Sequence, residues 1–482
     1  MCIRDSGKLV LPGLIDNHTH FISGGTYLNG LDLRPAKSIA EFVEILKRYV
    51  ETHKGKWILG GNWDHEAWEK TDLPIKEWID PFSENTPILI DRFDGHMALA
   101  NSYALKLAGI NKNTPDPAGG KIEKDPVTGE PTGILKDNAM YLVLAIIPEQ
   151  SFEENVEALK SALAEARRLG ITSVHDITSA NDFKVMNKFD KEGALTCRIY
   201  TRIPVSQFRN LVNTGIDFNT GSEFLKLGSL KAFADGSLGS STAWFFEPYF
   251  QDPSTSGLPM DIILNDSLSS WAFAADKAGL QLSIHAIGDK ANSYILDVFE
   301  KIKEVNPEWD RRFRIEHAQH LKKSEIKRFR EIGVIASVQP YHCIDDGVWA
   351  EKRIGPERIH EAYPIRTLIN EGVQVCFGSD WPVAPLNPLW GIYAAATRRT
   401  FDDKNPGGWI PDEKITVEEA IKCYTINNAY AGFSENTLGS ITTGKFADFI
   451  VLSENILKID PVKIWDVQVL RTVVGGKTVY IK

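Results

Sequence analysis

The sequence predicts an α/β protein: a distorted (β/α)8, or TIM, barrel with a large insertion after its first strand and a small β domain at its end. Three observations predict it. A unit of amphipathic helix, glycine, apolar strand and terminal polar residue recurs along the chain, and a stretch rich in Trp, Asp, Gly and Pro interrupts it early. The last segment reads as strands and turns without helices. Apolar strands alternating with helices argue for parallel pairing, and polar side chains at strand C-termini are how such a barrel builds its active site.

The clearest unit begins with the capping box Ser151 to Glu154 and carries Phe152, Val156, Leu159, Leu163, Ala166 and Leu169 at helical spacing. Gly170 closes it, and a strand over 171–174 delivers His175 and Asp176. The pattern repeats at Gly279, strand 280–284 and His285; at Gly333, strand 334–338 and Gln339; and at Gly372, strand 373–377 and Ser379-Asp380. Strands over 10–15, 197–203, 225–233 and 313–315 complete a set of eight. The segment between the first strand and Gly170, with Trp57, Trp63, Trp68, Trp78 and the turn at Asp116-Pro117, is too long for a simple crossover. It predicts a lid or subdomain over the barrel mouth. Residues 438–482 form the closing β domain, with Phe449-Ile450-Val451-Leu452 and the segments around Gly475-Gly476 as strands.

Composition bounds the rest. The 482 residues are 43% hydrophobic and 24% charged, and no apolar run approaches the roughly 18 residues that span a bilayer. No membrane association is expected. The net charge is −10, without a Lys/Arg-rich stripe, so nucleic acid is not the expected partner. Cys2, Cys197, Cys343, Cys376 and Cys423 are odd in number and widely spaced, which argues against a disulfide framework or a thiolate metal site and fits the cytoplasm. Met1 to Ser6 is too short and polar for a signal peptide.

In Asp16-Asn17-His18-Thr19-His20 the two histidines are one residue apart, so on an extended strand both imidazoles face one side. That suits a metal grip, although two solvated loop histidines would look the same. Imidazole serves Zn, Fe, Ni and Cu alike. His285, His317 and Asp380 each end an apolar strand, where a carboxylate without a cation or hydrogen-bonding partner costs several kcal/mol. Four imidazoles and one carboxylate converging on a barrel mouth are a hydrolase constellation.

These residues resemble the amidohydrolase superfamily. The insertion, Asp94-Gly95-His96-Met97-Ala98-Leu99-Ala100-Asn101, Lys231-Ala232-Phe233-Ala234-Asp235-Gly236-Ser237 and Gly378-Ser379-Asp380-Trp381-Pro382 are similar to its amidohydrolase 3 branch, which includes YtcJ-like and N-substituted formamide deformylase-like proteins. The resemblance runs from about Leu9 to the C-terminus and includes Gly439-Ser440-Ile441-Thr442-Thr443-Gly444-Lys445, the family's return into a small β-sandwich. It implies a metal site of His18, His20, His285, His317 and Asp380 holding one or two divalent ions, with zinc expected. Lys231 would be the carboxylated bridging lysine; the alternative is an ordinary ion pair with Asp235. A bound metal activates water, and Asp380 is the expected proton acceptor and subsequent donor to the departing nitrogen. His96, His175, Gln339 and His342 take substrate-binding or supporting roles, or else serve as hydrogen-bonded structural residues.

The implied activity is hydrolysis of a non-peptide C–N bond, amide or formamide-like, in a small-molecule substrate. Alternatives are cyclic-amide hydrolysis, a deaminase, or a non-catalytic binding or regulatory barrel. A deaminase is expected to carry a proton-donating Glu at position 288, which is Gly288. Aromatics at Trp57, Trp63, Trp68 and Trp244-Phe245-Phe246 suggest an apolar substrate portion, unless they pack lids and cores. A homodimer is the default assembly.

The domain organisation that follows is a remnant of an N-terminal β-sandwich part at 1–12, the barrel at 13–437 with its insertion at about 24–150, and the C-terminal β-sandwich part at 438–482. Residues 1–6 read as artefactual, because family members begin with a longer β-sandwich segment. The sandwich is therefore expected to be incomplete, with its C-terminal strands left without pairing partners.

Overall fold

The structure is a computed structural model describing residues 8–69, 72–148 and 150–482; residues 1–6 and Cys2 lie outside them. At its centre eight parallel strands follow one another in chain order around a nearly closed barrel. They are β1 (Leu14–Thr19), β2 (Ile171–Ile177), β3 (Arg198–Pro204), β4 (Leu225–Phe233), β5 (Leu282–Ala286), β6 (Arg314–His317), β7 (Ile335–Val338) and β8 (Val375–Phe377). The ring closes through the chain just beyond β8: the Asp380 amide donates to the His18 carbonyl at 2.7 Å, and the His20 amide to that of Trp381 at 2.8 Å.

The first strand departs from expectation. Residues 10–15 divide between two sheets at Gly13, where the chain passes so close to β2 that a Cβ would stand 2.1 Å from Thr172 Oγ1. Leu9–Pro12 pairs antiparallel with Phe449–Leu452, and the barrel strand begins only at Leu14. The closing strands are therefore not left without partners. Leu9–Pro12, Phe449–Leu452, Val469–Val474 and Lys477–Ile481 form one antiparallel four-stranded sheet. A buried two-pronged pair seats it on the barrel, Arg198 Nε and Nη2 reaching Asp448 Oδ2 and Oδ1 at 2.7 and 3.1 Å.

Between β1 and β2 the chain builds a separate six-stranded sheet from Leu31–Asp32, Ile58–Trp63, Ile88–Arg92, Met97–Ala100, Gly120–Lys124 and Pro131–Asp137. Trp63 and Trp68 are buried in its core with Phe42, and Trp78 packs against them. The Phe42–Trp68 ring centroids lie 5.2 Å apart and those of Trp68–Trp78 6.3 Å. These tryptophans hold the insertion together and do not meet substrate space, which corrects the first of the two readings offered above.

Helix Phe152–Arg168 forms with the predicted capping box and buries Ala158, Leu159, Ala162, Leu163 and Ala166. Helix Phe21–Leu28, leaving β1, lies against it so closely that a Cβ on Gly25 would stand 1.9 Å from the Ala158 carbonyl oxygen. Gly25→Ala is expected to force the helices apart and cost about 1–3 kcal/mol, read as a lower urea midpoint. An unchanged midpoint would contradict this packing.

Cys197, Cys343, Cys376 and Cys423 are buried free thiols. Among the described residues no helix is long and apolar enough to cross a membrane.

Candidate metal centre

Barrel closure places the centre. Because the chain after β8 pairs with β1, Asp380 is brought beside the two histidines, its Oδ1 3.3 Å from both His18 Nε2 and His20 Nε2. The buried ligand atoms of His18, His317 and Asp380 all lie within 4.8 Å of one another. His317 and Asp380 both hold left-handed backbone conformations, with φ of 74° and 61°. Such strain gathers at functional sites, where surrounding structure over-determines the backbone.

His285, on β5, sits beside β6 with its ring centroid 4.4 Å from that of His317. Its Nε2 is turned to the Gly236 carbonyl at 3.1 Å and lies 3.4 Å from Asp235 Oδ1. Lys231 on β4 faces the same centre. Its ammonium is buried without a hydrogen-bond partner, 4.5 Å from the Phe233 ring centroid. The ion pair with Asp235 is not formed: that carboxylate instead accepts from the backbone amides of Trp244, Ile287 and Gly288 at 2.7, 3.0 and 2.8 Å. Burial pushes the Lys231 pKa down to about 7 against the pull of Glu316, so its neutral amine is readily available.

The donors fit a divalent cation. Burial, reinforced by Arg202 and Lys231, holds His18 well below its usual pKa, and burial with the neighbouring His285 does the same for His317. Neutral imidazoles present the lone pair that a metal needs. His317 Nδ1 and Asp380 Oδ1 are buried without hydrogen-bond partners, leaving polar atoms that a cation would satisfy. Imidazole and carboxylate together suit zinc among several first-row ions.

Beneath these donors lies a carboxylate whose role was not assigned from sequence. Glu316, fully buried, bonds His18 Nδ1 and receives Ser337 Oγ at 2.7 Å and Arg314 Nε at 2.9 Å, with Arg202 Nη1 2.8 Å away. Burial raises its pKa, but Arg314 and Arg202 outweigh that and hold it well below the carboxylate range. It therefore fixes His18 with a proton on Nδ1 and the Nε2 lone pair free. The signal was present in Arg314 and Glu316, two charges on one short strand of an otherwise apolar sheet, where only mutual pairing makes burial tolerable.

A cavity of about 1070 Å3 opens from the centre and is lined by His18, His20, Lys231, His285, His317 and Asp380, and by His96 and His342, whose ring centroids stand 5.3 Å from that of His285 and 6.3 Å from that of His317. His96 is positioned by the insertion: its Nδ1 lies 2.7 Å from Asp137 Oδ1, and its amide donates to Asp94 Oδ1 at 3.3 Å. Asp94 in turn receives Arg92 Nη1 at 2.6 Å and Ser237 Oγ at 2.5 Å, which ties the insertion to the segment after β4. The other two residues expected at the substrate lie off the cavity wall. His175 is beneath it, its Nδ1 accepting from Arg314 Nη1 at 2.9 Å, two residues short of the end of β2. Gln339 turns its amide toward the Ser337 carbonyl at 3.4 Å.

Comparison with protein families matches residues 6–480 to the one described as "Amidohydrolase family". Three relatives align along nearly the whole chain. Protein LONG AFTER FAR-RED 3 of Arabidopsis thaliana is 42% identical over 100% of this chain and 84% of its own. Putative amidohydrolase YtcJ of Bacillus subtilis is 34% identical over 99% and 90%. N-substituted formamide deformylase of Arthrobacter pascens is 27% identical over 98% and 88%. Among solved structures, an uncharacterized metal-dependent hydrolase from Pyrococcus horikoshii superposes with a TM-score of 0.75 at 29% identity, covering 94% of this chain and 88% of that one.

Proposed function

The chain belongs to the amidohydrolase family, and from that premise we propose that it hydrolyses a non-peptide carbon–nitrogen bond, of amide or formamide type, in a small molecule. The observation that carries the reading is the convergence of His18, His317 and Asp380 at the mouth of a large cavity. His18, His20, His285, His317 and Asp380 are the proposed ligands of a divalent metal, zinc, with Lys231 as a carbamate toward a second ion. A bound cation supplies Lewis acidity, lowering the pKa of water from 15.7 to about 7 and polarising a carbonyl.

The remaining work belongs to the side chains. Asp380 takes a proton from the attacking water and returns it to the departing nitrogen. The water oxygen forms the new C–O bond, the C–N bond breaks, and the products are a carboxylic acid and an amine. Glu316 keeps the His18 ring oriented throughout, and the charges of Arg314 and Arg202 keep Glu316 ionised in its dry surroundings. His96, braced by Asp137, and His342 are proposed to contact the substrate from the cavity wall. The named activity of the Arthrobacter relative supports the formamide reading. A deaminase is disfavoured because position 288 has no room for its acid: a Cβ on Gly288 would stand 2.1 Å from the Trp244 carbonyl oxygen.

The test is a screen of zinc-loaded protein against N-formyl, N-acyl and cyclic amides, following the amine released. Turnover of at least one open-chain class is expected, abolished by a chelator and restored by zinc. Turnover of none, or turnover that persists through chelation, would overturn the reading.

A further inference from the structure

The cavity is far larger than an amide group, and part of its lining is a contiguous run of apolar side chains. In a barrel whose eight strands follow one another in order, β2–β4 stand across the axis from β6–β8. On the β2–β4 side Ile177 ends β2, Val205 follows β3, and Ile262 and Trp271 follow β4; all four line the cavity. The insertion adds Tyr141 and Leu144, and Tyr141 feels the charge of Asp261, which places that segment beside the chain after β4. Tyr141 is 64% exposed and Leu144 37%, so apolar surface waits uncovered at the rim. Across the axis the lining is mixed, with Gln319, His342, Asp345 and Asp346 beside Trp349, Pro382 and Val383. The candidate metal centre lies on β1, β5 and β6 and just past β8.

We propose that the substrate carries a bulky apolar arm, an alkyl chain or aryl ring, that lies against Tyr141, Leu144, Ile177, Val205, Ile262 and Trp271 while its amide meets the metal centre. This rests on the amide-hydrolase reading for the identity of the reacting group; the apolar wall is independent of it. Burying each added methylene against such a wall raises affinity by about three- to fourfold, since a CH2 removed from water is worth about 0.8 kcal/mol. The arm has two chemical sources, the amine side or the acyl side of the amide, and the same wall would hold either.

The experiment measures binding and turnover separately. Calorimetry on the zinc-loaded full chain follows n-alkylamines and, in a second series, n-alkanoates, the two kinds of product, from two to eight carbons, beside hydrolysis of the matching N-alkylformamides and N-methylalkanamides. The inference expects affinity to climb about three- to fourfold per methylene in at least one product series, and the responding series tells which side of the amide bears the arm. Leu144→Asp is expected to flatten that climb. Leu107→Asp, which changes another exposed leucine of the insertion outside the cavity, is expected to leave it intact. A flat response in both series, or a climb that Leu144→Asp leaves unaltered, overturns the inference even where the amides are hydrolysed. A climb lost in Leu144→Asp, with no amide hydrolysed, sustains the apolar wall and overturns the reaction.

Discussion

Asp380→Asn is expected to lower kcat by about 10²- to 10⁴-fold, the usual contribution of a positioned acid–base group. The carboxylate is the one acid–base group at the centre of the proposed mechanism, and asparagine keeps its shape while removing its capacity to take a proton. Stability should fall modestly: burial raises the Asp380 pKa, but His18, His20 and His317 outweigh it and hold the carboxyl well below its usual range, so the fold favours the charge that asparagine removes. Steady-state kinetics with thermal denaturation on the same preparation separates the two effects. Retained kcat would show that another group carries the proton.

Glu316→Ala is expected to produce a large loss of stability, about 3–5 kcal/mol, because it leaves the buried guanidinium groups of Arg202 and Arg314 without their shared carboxylate. It should also weaken metal binding by about 10- to 100-fold through loss of the brace on His18 Nδ1. Ser337→Ala removes one hydrogen bond to that carboxylate and the one that Asn17 Nδ2 donates to the hydroxyl at 2.7 Å, and should cost about 1–3 kcal/mol with metal binding retained. A purely structural Glu316 would lower the urea midpoint while leaving metal affinity in the folded protein unchanged, so measuring both separates bracing from packing.

The barrel was legible because it is written repeatedly: each glycine-closed helix followed by an apolar run has few other ways to bury itself. The boundary at β1 was less so, since residues 10–15 are apolar throughout and only the Pro12-Gly13 pair marks the passage from one sheet to another. His18, His20, His317 and Asp380 were legible as polar residues at strand ends. Their meeting depends on ring closure between β1 and the chain after β8, which no local pattern states. His175 and Gln339 looked equivalent to them by the same rule, but a strand three residues longer than expected leaves His175 below the cavity, and Gln339 bonds backward along its own chain. Glu316 is the converse: adjacent to a candidate ligand in sequence, it acts on a histidine nearly three hundred residues away. The tryptophans of the insertion show how composition misleads, since large aromatics suit a substrate wall and a subdomain core equally well, and Trp63 and Trp68 went to the core.

The central claim is that these side chains form a metal centre. Elemental analysis by mass spectrometry of the purified, dialysed chain tests it most directly, in the wild type and in His18→Ala and His317→Ala variants shown by circular dichroism to be folded. The account predicts at least one divalent ion per wild-type chain and a large loss of it in both variants. A folded wild-type chain that retains no metal after zinc loading, or variants that retain all of it, would contradict the account.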